Sequence, residues 1–277
     1  MVSKLKTLFL LCTLLGLTYG APTVEEEIVE EDAAIDVRIR GGQKSPELLL
    51  PYAVSLQQAS NNNKFCGGVI IDKKWVLTAA HCFDQATEKD DLRCFAGSVD
   101  GQDYMGDDSE LIKIEKYFIH KDYDKNNEDS DKGDIALAKL TRPFHLSKAI
   151  QPATLPPKGY KLASDGIVYG WGATTRNQEE PSRYLKHTTL NVIDDSKCKA
   201  VFKGYGDRQF CAIGTSPNAA CQGDSGGPLI QIEKSSGTPY VAGVVSFGSP
   251  DCGTGPTVFT KVTDYLDWIE TTRKNNA

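Results

Sequence analysis

The stretch Cys221-Gln-Gly-Asp-Ser-Gly-Gly-Pro228 sets one serine among glycines. Glycine permits the backbone conformations of a tight turn, so this stretch can present the Ser225 hydroxyl and point neighbouring main-chain N–H groups at one place. A serine hydroxyl is a weak nucleophile and needs a base to take its proton. Because a Gly-Asp-Ser-Gly run can also be no more than a turn, the stretch predicts a nucleophile only if the chain supplies that base.

Two segments upstream supply partners for this serine. Thr78-Ala-Ala-His-Cys82 places His81 at the end of an apolar run, and imidazole suits a base because its ordinary pKa lies near neutral pH. Gly133-Asp-Ile-Ala-Leu137 places Asp134 before another apolar run, where a partly buried carboxylate can hold the imidazole in one tautomer. Alone, His81 could be a core residue and Asp134 could end a loop. Together, in the order His, Asp, Ser, they are far more specific.

The glycines around Ser225 also fit the G-x-S-x-G elbow of the α/β-hydrolases, which use a nucleophilic serine too. In that fold the histidine follows the serine along the chain. No histidine follows Ser225 in this sequence, so a lipase or esterase of that fold would have no base.

The body of the chain contains many short β-type segments separated by Gly, Pro, Asn and Asp, for example 52–56, 69–71, 75–77, 135–138, 167–169 and 241–245. That spacing favours antiparallel sandwiches or barrels. One helix is expected, at the end of the chain, where Thr263 can act as its cap and apolar residues repeat at helical spacing. The Pro-rich passage 151–157 is expected to link two halves of comparable size.

Residues 1–20 are expected to be a cleaved signal peptide. Lys4 and Lys6 precede the apolar run 8–17, and small residues stand at positions 18 and 20, as signal peptidase prefers. A membrane anchor is the alternative, but the run is shorter than the roughly 20 apolar residues that a span needs. The sequence therefore predicts a secreted product that does not associate with membranes.

The formal charge of −6 is concentrated near the N-terminus. Residues 21–38 carry a net −6, and the body that follows carries only about −2 once the signal lysines are removed. An acidic stretch without aromatic residues is typical of a solvated leader. No basic stripe remains in the body, so no nucleic-acid partner is expected.

Cysteine usage agrees with export. Seven cysteines remain after Cys12 leaves with the signal, namely Cys66, Cys82, Cys94, Cys198, Cys211, Cys221 and Cys252. Disulfides persist in an oxidising compartment, but the sequence alone leaves their pairing open. A zinc site is the competing interpretation, and the absence of any C-x2-C pair in the sequence argues against it.

These segments together resemble the chymotrypsin/trypsin family of serine endopeptidases. The resemblance runs from residue 39 to the terminal helix and includes Phe65-Cys-Gly-Gly68, Trp75-Val-Leu-Thr-Ala-Ala-His81, Tyr169-Gly-Trp-Gly172, Cys221-Gln-Gly-Asp-Ser-Gly-Gly-Pro228, Val245-Ser-Phe-Gly248 and Pro256-Thr-Val-Phe259. It implies an all-β fold, two packed six-stranded antiparallel β-barrels with a C-terminal α-helix. Residues 39–150 would form the half with His81 and Asp134, and residues 151–277 the half with Ser225.

The resemblance also implies the disulfides Cys66–Cys82, Cys198–Cys211 and Cys221–Cys252. Cys94 is left without a familiar partner. A buried free thiol that acts as a small apolar residue is the preferred interpretation, and an intermolecular disulfide is the alternative.

The chemistry that the resemblance implies is acyl transfer to Ser225, with His81 as base and Asp134 orienting it. The N–H groups of Gly223 and Ser225 would receive the oxyanion, and residues 246–248 (Ser246, Phe247 and Gly248) would pair with the substrate in β fashion. No cofactor is required. The family's optional calcium loop is not expected, because Ser98 stands where its first acidic ligand is usual. An inactive homologue acting as a binding or regulatory module is the alternative, but all three triad residues are present.

The N-terminal junction predicts a zymogen cut after Arg38. Active family members begin with an aliphatic residue, two further residues and a glycine, and Ile39-Arg-Gly-Gly42 matches except at Arg40. A cut after Arg40 is the alternative and would expose Gly41. The Ile39 ammonium is expected to pair with Asp224 and order the oxyanion loop. Because no cysteine lies between residues 21 and 65, the leader is expected to leave once a trypsin-like protease has cut it.

The resemblance also indicates which side chain the pocket accepts. A trypsin-type enzyme has an aspartate six places before its serine, but here that place holds Ala219, followed by Ala220. Burying a substrate cation without a partner is costly, so cleavage after Lys or Arg is not expected. Gly248 resembles the open entrance of chymotrypsins and Thr257 the bulkier wall of elastases, while Asp251 is expected to face solvent.

We therefore expect cleavage after uncharged apolar residues, Leu above all, then Phe and Tyr, with Ala or Val as the elastase-like alternative. The expected partners are protein and peptide substrates, the activating protease and protein protease inhibitors. The enzyme is expected to be a monomer.

Overall fold

The computed structural model describes residues 42–46, 48–87, 90–126, 133–173, 181–249 and 251–277. In these ranges it has two helices, α1 (Asp195–Val201) and α2 (Leu266–Asn275). The strands are β1 (Gln43–Lys44), β2 (Ala53–Gln58), β3 (Asn63–Asp72), β4 (Trp75–Thr78), β5 (Leu92–Ala96), β6 (Glu110–Ile119), β7 (Ala136–Leu140), β8 (Asp165–Gly170), β9 (Lys186–Ile193), β10 (Gln209–Ile213), β11 (Pro228–Ile232), β12 (Pro239–Gly248) and β13 (Thr257–Lys261).

The first barrel closes in the order β2-β3-β4-β7-β6-β5, and every pair is antiparallel. Along β6, buried Ile112 and Ile114 alternate with exposed Lys113 and Glu115, because successive side chains of a strand point to opposite faces. Strand β4 is buried along its whole length. The segment that carries His81 follows directly after the end of β4.

The second barrel runs β9-β10-β13-β12-β11-β8 and is closed by the antiparallel pairing of β8 with β9. Strand β1 adds to its edge, with Gln43 opposite His187 on β9. Two closed six-stranded antiparallel barrels followed by a short terminal helix confirm the fold that the sequence predicts.

The two barrels share a core and meet beside the predicted nucleophile. Tyr52, just before β2, packs against Tyr169 of β8 with ring centroids 5.9 Å apart. Gly67 of β3 donates its N–H to the carbonyl of Ser225 at 2.7 Å. The loop that carries Ser225 belongs to the second barrel and is thereby anchored to the first.

The helices differ from the sequence-based expectation in two respects. A 3-10 turn at Val262–Tyr265 precedes α2, and Tyr265 occupies the cap position, so the helix starts two residues later than a Thr263 cap predicts. Helix α1 has seven residues of which only Cys198 is buried, so it has no apolar periodicity to reveal it. None of the helices in the described ranges has the length and hydrophobicity needed to cross a bilayer.

Three disulfides join the cysteine pairs that the family resemblance implies, Cys66–Cys82, Cys198–Cys211 and Cys221–Cys252. Cys94 of β5 is a free thiol with no exposed surface, and burial raises its pKa. A thiol in that state is protonated and inaccessible, so it packs as a small apolar side chain.

Candidate active site

The three predicted residues lie on loops at the ends of buried strands. His81 opens a short 3-10 turn that follows β4, and Asp134 stands two residues before β7. Ser225 lies three residues before β11. The first two therefore come from one barrel and the third from the other.

Asp134 is buried and receives three hydrogen bonds on its carboxylate. His81 donates its backbone N–H to Oδ1 at 3.0 Å, and its ring Nδ1 lies 2.9 Å from Oδ2. Ser246 donates its hydroxyl to Oδ2 at 2.5 Å. Burial by itself would raise the pKa of Asp134, but the charge of His81 and these hydrogen bonds bring it below its ordinary value. The group is therefore ionised near neutral pH although it is only 5% exposed.

The pKa of the His81 imidazole shifts in the opposite direction, upwards. Burial lowers its pKa, but the attraction of Asp134 and their hydrogen bond outweigh that effect, so its pKa is raised above the ordinary 6.5. Because Asp134 holds Nδ1, the other ring nitrogen is left for chemistry. The pair can thus take up a proton and stabilise the resulting imidazolium.

Ser225 and His81 line the same cleft, a cavity of about 370 Å³ that also includes Phe65 and the Cys66–Cys82 disulfide. Among the described residues no hydrogen bond joins the Ser225 hydroxyl to the imidazole. Catalytic hydrogen bonds are often loose without substrate and tighten when it binds. The cleft therefore brings the hydroxyl and the base together beside one open space.

The loop around Ser225 requires its glycines. Gly223 and Gly226 have φ angles of 90° and 78°, the left-handed region that other residues rarely adopt. A Cβ on Gly226 would also approach the Thr78 hydroxyl oxygen to 2.1 Å.

The backbone donors of this loop fall into two groups. The N–H groups of Asp224, Gly226 and Gly227 donate to carbonyls, whereas those of Gly223 and Ser225 have no acceptor in the described part of the chain. Two free donors on one loop can stabilise an oxyanion.

Asp224, next to the nucleophile, is fully buried. It accepts the N–H groups of Gly172 at 2.8 Å and Cys221 at 2.9 Å. Burial raises its pKa to about 7, and the two hydrogen bonds offset only part of that effect. No cation pairs with it within the described ranges. The predicted partner Ile39 and the cut site at Arg38 lie outside the described residues.

Ser225 also lines a second cavity, of about 230 Å³. Of the residues predicted for a specificity pocket, it brings together Ala220, Phe247, Gly248 and Thr257. Neither Asp, Glu, Lys nor Arg is among its described lining residues. Its lining fits an uncharged side chain.

Of the residues predicted to contact the substrate, Ala219 and Ser246 do not line this cavity. Ala219 is buried, and Ser246 uses its hydroxyl on Asp134. The cavity includes the Cys221–Cys252 disulfide and does not include Asp251.

Sequence reasoning missed several contacts that support the site. Thr260 of β13 donates its hydroxyl to the Asp134 carbonyl at 2.8 Å, and Tyr265 accepts the N–H of Gly133 at 3.0 Å. Phe202, after α1, meets Phe247 edge-on with ring centroids 5.4 Å apart. These residues are far from their partners along the chain, so no local pattern indicates them.

Metal-ligating atoms come together at one place in the described ranges. Atoms of Cys66, His81 and Cys82 lie within 4.8 Å of one another. The two sulfurs are bonded to each other as a disulfide, so neither is a thiolate that could hold a metal ion. This group is a disulfide beside an imidazole.

Comparison with known proteins gives consistent matches. The family model described as Trypsin matches residues 39–269. Chymotrypsin-2 of Vespa crabro is 34% identical over 233 residues, covering 84% of this chain and 98% of that protein. Trypsin II-P29 of Gallus gallus is 31% identical over 271 residues, covering 97% of this chain and 98% of that protein.

Neuropsin is an example of a solved structure that this chain resembles in both fold and sequence. Neuropsin, a serine protease expressed in the limbic system of mouse brain, superposes with a TM-score of 0.72 at 28% identity. The match covers 84% of this chain and 98% of the neuropsin chain.

Proposed function

The chain belongs to the trypsin family and is a serine endopeptidase, and we propose that its catalytic residues are His81, Asp134 and Ser225. The observation that carries this assignment is the 2.9 Å contact between the His81 ring and Asp134 in the cleft that Ser225 also lines. His81 takes the Ser225 proton as the hydroxyl attacks a peptide carbonyl, and Asp134 stabilises the imidazolium. The N–H groups of Gly223 and Ser225 receive the oxyanion, an interaction worth about 3–4 kcal/mol per donor in a comparable enzyme.

His81 then gives its proton to the leaving amine, and the acyl group stays on Ser225 until water attacks with the same base. Replacing the nucleophile tests the assignment. Ser225→Ala should lower kcat by several orders of magnitude, while Ser236→Ala, at an exposed serine in the turn between β11 and β12, should retain full activity. A Ser225→Ala protein with undiminished kcat would contradict the proposal.

We propose that the protein is secreted as a precursor. Residues 1–20 are removed as a signal, and a trypsin-like protease cuts after Arg38 to release the leader of residues 21–38. The new Ile39 ammonium pairs with Asp224. The support is that Asp224 is fully buried beside the nucleophile with two N–H donors and no cation among the described residues.

The proposed ion pair between the Ile39 ammonium and Asp224 depends on pH. The pKa of a buried amine beside a carboxylate is raised, so the active form is favoured below that pKa and lost as the pH rises through it. N-terminal sequencing of the secreted precursor should begin at Ala21 and that of the active enzyme at Ile39. An active enzyme that begins at Gly41 would contradict the cut site.

For the substrate we propose cleavage after uncharged apolar residues, Leu first, then Phe and Tyr. The cavity beside Ser225 supports this proposal because its described lining has no charged side chain and its wall includes Thr257. Leu and Phe p-nitroanilides should be hydrolysed faster than those of Arg and Lys. The reverse order would overturn the pocket assignment, and a preference for Ala or Val would place the enzyme with elastases.

The active enzyme needs no cofactor and works as a monomer on protein and peptide substrates. Protein inhibitors that present an apolar residue to the same cavity should block it.

A further inference from the structure

Asp84 is a second carboxylate close to His81. It directly follows the 3-10 turn His81–Phe83 and donates its backbone N–H to the His81 carbonyl at 3.1 Å. A 3-10 turn has three residues per turn, so side chains three positions apart lie on the same face. The Asp84 carboxylate and the His81 imidazole therefore share one face of this turn.

Tyr123, in the loop after β6, holds the Asp84 carboxylate. Its hydroxyl donates to Oδ2 at 2.7 Å, a length typical of a hydroxyl bound to an ionised acceptor. Both residues are half-buried. Burial, the hydrogen bond to Asp84 and the charge of Asp134 all raise the pKa of Tyr123, so its hydroxyl stays protonated and remains a donor. The hydrogen bond keeps the carboxylate from turning away into solvent.

The charge of Asp84 acts on the imidazole through space. Burial lowers the pKa of His81, the charge and the hydrogen bond of Asp134 raise it, and the charge of Asp84 raises it further. Asp134 binds the ring at Nδ1, whereas no hydrogen bond joins the ring to Asp84 in the described part of the chain. Asp84 therefore stabilises the imidazolium without competing for a ring nitrogen.

Two further carboxylates, those of Asp90 and Asp124, lie near this pair. Asp90 lines the cleft, and Asp124 lies on the loop of Tyr123 and acts on its hydroxyl. Neither Lys nor Arg is among the described residues that line the cleft. By contrast, the charge of Asp84 acts on His81 itself.

We propose that Asp84, held by Tyr123, is a positioning residue of the active site, a second anion that stabilises the charged form of His81 and so sets the pH at which the enzyme loses activity in acid. This role rests on the proposed triad and extends it by one pair of residues. While His81 carries the Ser225 proton, the negative charges of Asp84 and Asp134 both stabilise the imidazolium. In the free enzyme the same charges keep the imidazole protonated up to a higher pH, and in that form it cannot act as a base.

The test compares pH profiles of kcat/KM for activated wild type and Asp84→Asn on a Leu p-nitroanilide. Asparagine keeps the size of aspartate and can still accept the Tyr123 hydroxyl, but it carries no charge. The midpoint on the acid side should fall by about half a pH unit, the size expected for a part-exposed charge pair. Below both midpoints, Asp84→Asn should therefore be about threefold more active than wild type when each is scaled to its own plateau.

A purely structural role for Asp84 predicts a different profile. If Asp84 only kept the turn in place, Asp84→Asn would lower the plateau of kcat/KM and leave its midpoint unchanged. The plateau should instead stay within about threefold of wild type, because Asp134 still holds the imidazole.

Two further variants identify the pair and its charge as the cause. Tyr123→Phe should lower the midpoint by a smaller amount, because the released carboxylate can turn towards solvent. The double variant Asp84→Asn/Tyr123→Phe should have the midpoint of Asp84→Asn, since Tyr123 acts through Asp84. Asp165→Asn is the matched control, at an exposed carboxylate that begins β8 in the second barrel, and it should leave the midpoint unchanged.

Proton NMR of the imidazoles gives a readout that does not depend on activity. In the Ser225→Ala background, Asp84→Asn should lower the titration midpoint of His81 by the same half unit. The midpoints of His145 and His187 should stay where they are, since Glu110 contacts the first and Ser45 the second. These two histidines are internal controls in the same sample.

A His81 midpoint that Asp84→Asn leaves unchanged in either measurement, or that Asp165→Asn shifts equally, would overturn the role of Asp84 and leave the triad assignment intact. A wild type without activity on the p-nitroanilide, or a Ser225→Ala protein with undiminished kcat, would overturn the triad assignment and the role of Asp84 with it.

Discussion

At the scale of single residues, Asp134 fixes the geometry of the site. Its carboxylate receives the His81 backbone N–H and the Ser246 hydroxyl, and it lies 2.9 Å from the His81 ring. With both oxygens occupied, the carboxylate cannot rotate without losing hydrogen bonds in a buried place. The imidazole is therefore held in one tautomer and one orientation.

Asp134→Asn should preserve the fold and remove most of the activity. An amide can present its NH2 to His81 Nδ1 and so stabilise the wrong tautomer, leaving Ser225 without a base. The corresponding change in a related enzyme lowers kcat about 10⁴-fold, and the same order is expected here. Steady-state kinetics with matched circular dichroism spectra would check it, and a loss below tenfold would contradict the role of Asp134.

The raised pKa of His81 should determine the pH at which kcat/KM falls on the acid side of its pH profile. Only the neutral imidazole can accept the Ser225 proton, so kcat/KM should rise with pH through the pKa of His81 in the free enzyme. That pKa should lie above 6.5, because Asp134 stabilises the charged form. A pH profile of kcat/KM measures it directly. A midpoint well below 6.5 would show that Asp134 does not act on His81 as described.

At the scale of elements, strand ends position the chemistry and contacts between the barrels hold them together. Strand β4 leads to His81, and β7 begins two residues after Asp134. Strands β12 and β13 of the second barrel contact the same residue, since the hydroxyls of Ser246 and Thr260 both donate hydrogen bonds to Asp134. The aspartate from one barrel is thus fixed by two hydroxyls from the other, that of Ser246 on its carboxylate and that of Thr260 on its backbone carbonyl.

Thr260→Val tests the contact between the barrels. Valine keeps the shape of threonine but leaves the buried Asp134 carbonyl without the Thr260 hydroxyl, which should cost about 1–3 kcal/mol of the free energy of unfolding. Thr141→Val is the matched control, because its hydroxyl donates to the Lys113 carbonyl at an exposed site and its loss should cost about 0.5 kcal/mol or less. Urea unfolding of both variants checks this. Equal losses would show that the Thr260 contact stabilises no more than a surface bond.

The sequence predicts those parts of the site that lie within short motifs. The serine turn, the histidine after β4 and the aspartate before β7 each have a local pattern, and the order of the motifs indicates the family. The contacts of Thr260, Tyr265 and Phe202 depend on residues brought together only by barrel closure, so no local pattern reveals them. The place of Ala219 outside the cavity follows from the path of the loop before Cys221, which sequence spacing does not give.

At the scale of the whole molecule, the proposed activation would act through one buried carboxylate next to the catalytic loop. Asp224 is fully buried with a pKa of about 7, and the described part of the chain provides no cation for it. A cut after Arg38 would create that cation. The proposed cleavage of the precursor would therefore change the electrostatics beside Ser225.

The uncut precursor should lose stability between about pH 4 and pH 7. The folded-state pKa of Asp224 is raised from 3.8 to about 7, so its contribution is fully present below the unfolded value and is lost as the pH rises through the folded value. By linkage the loss is on the order of 4 kcal/mol. Asp224→Asn should remove this pH dependence, and Asp107→Asn, an exposed control, should retain it. Denaturant unfolding of the three precursors at pH 4.5 and pH 8 measures the effect; identical profiles would contradict it.

Ser225 is the proposed nucleophile of a triad that should act once the leader is removed. Labelling with a serine-reactive fluorophosphonate, followed by peptide mapping, tests this most directly. The activated enzyme should take up one label per molecule on Ser225, the Ser225→Ala variant should take up none, and the uncut precursor should react much more slowly. A label on another serine, or no label on the cleaved and folded enzyme, would contradict the account.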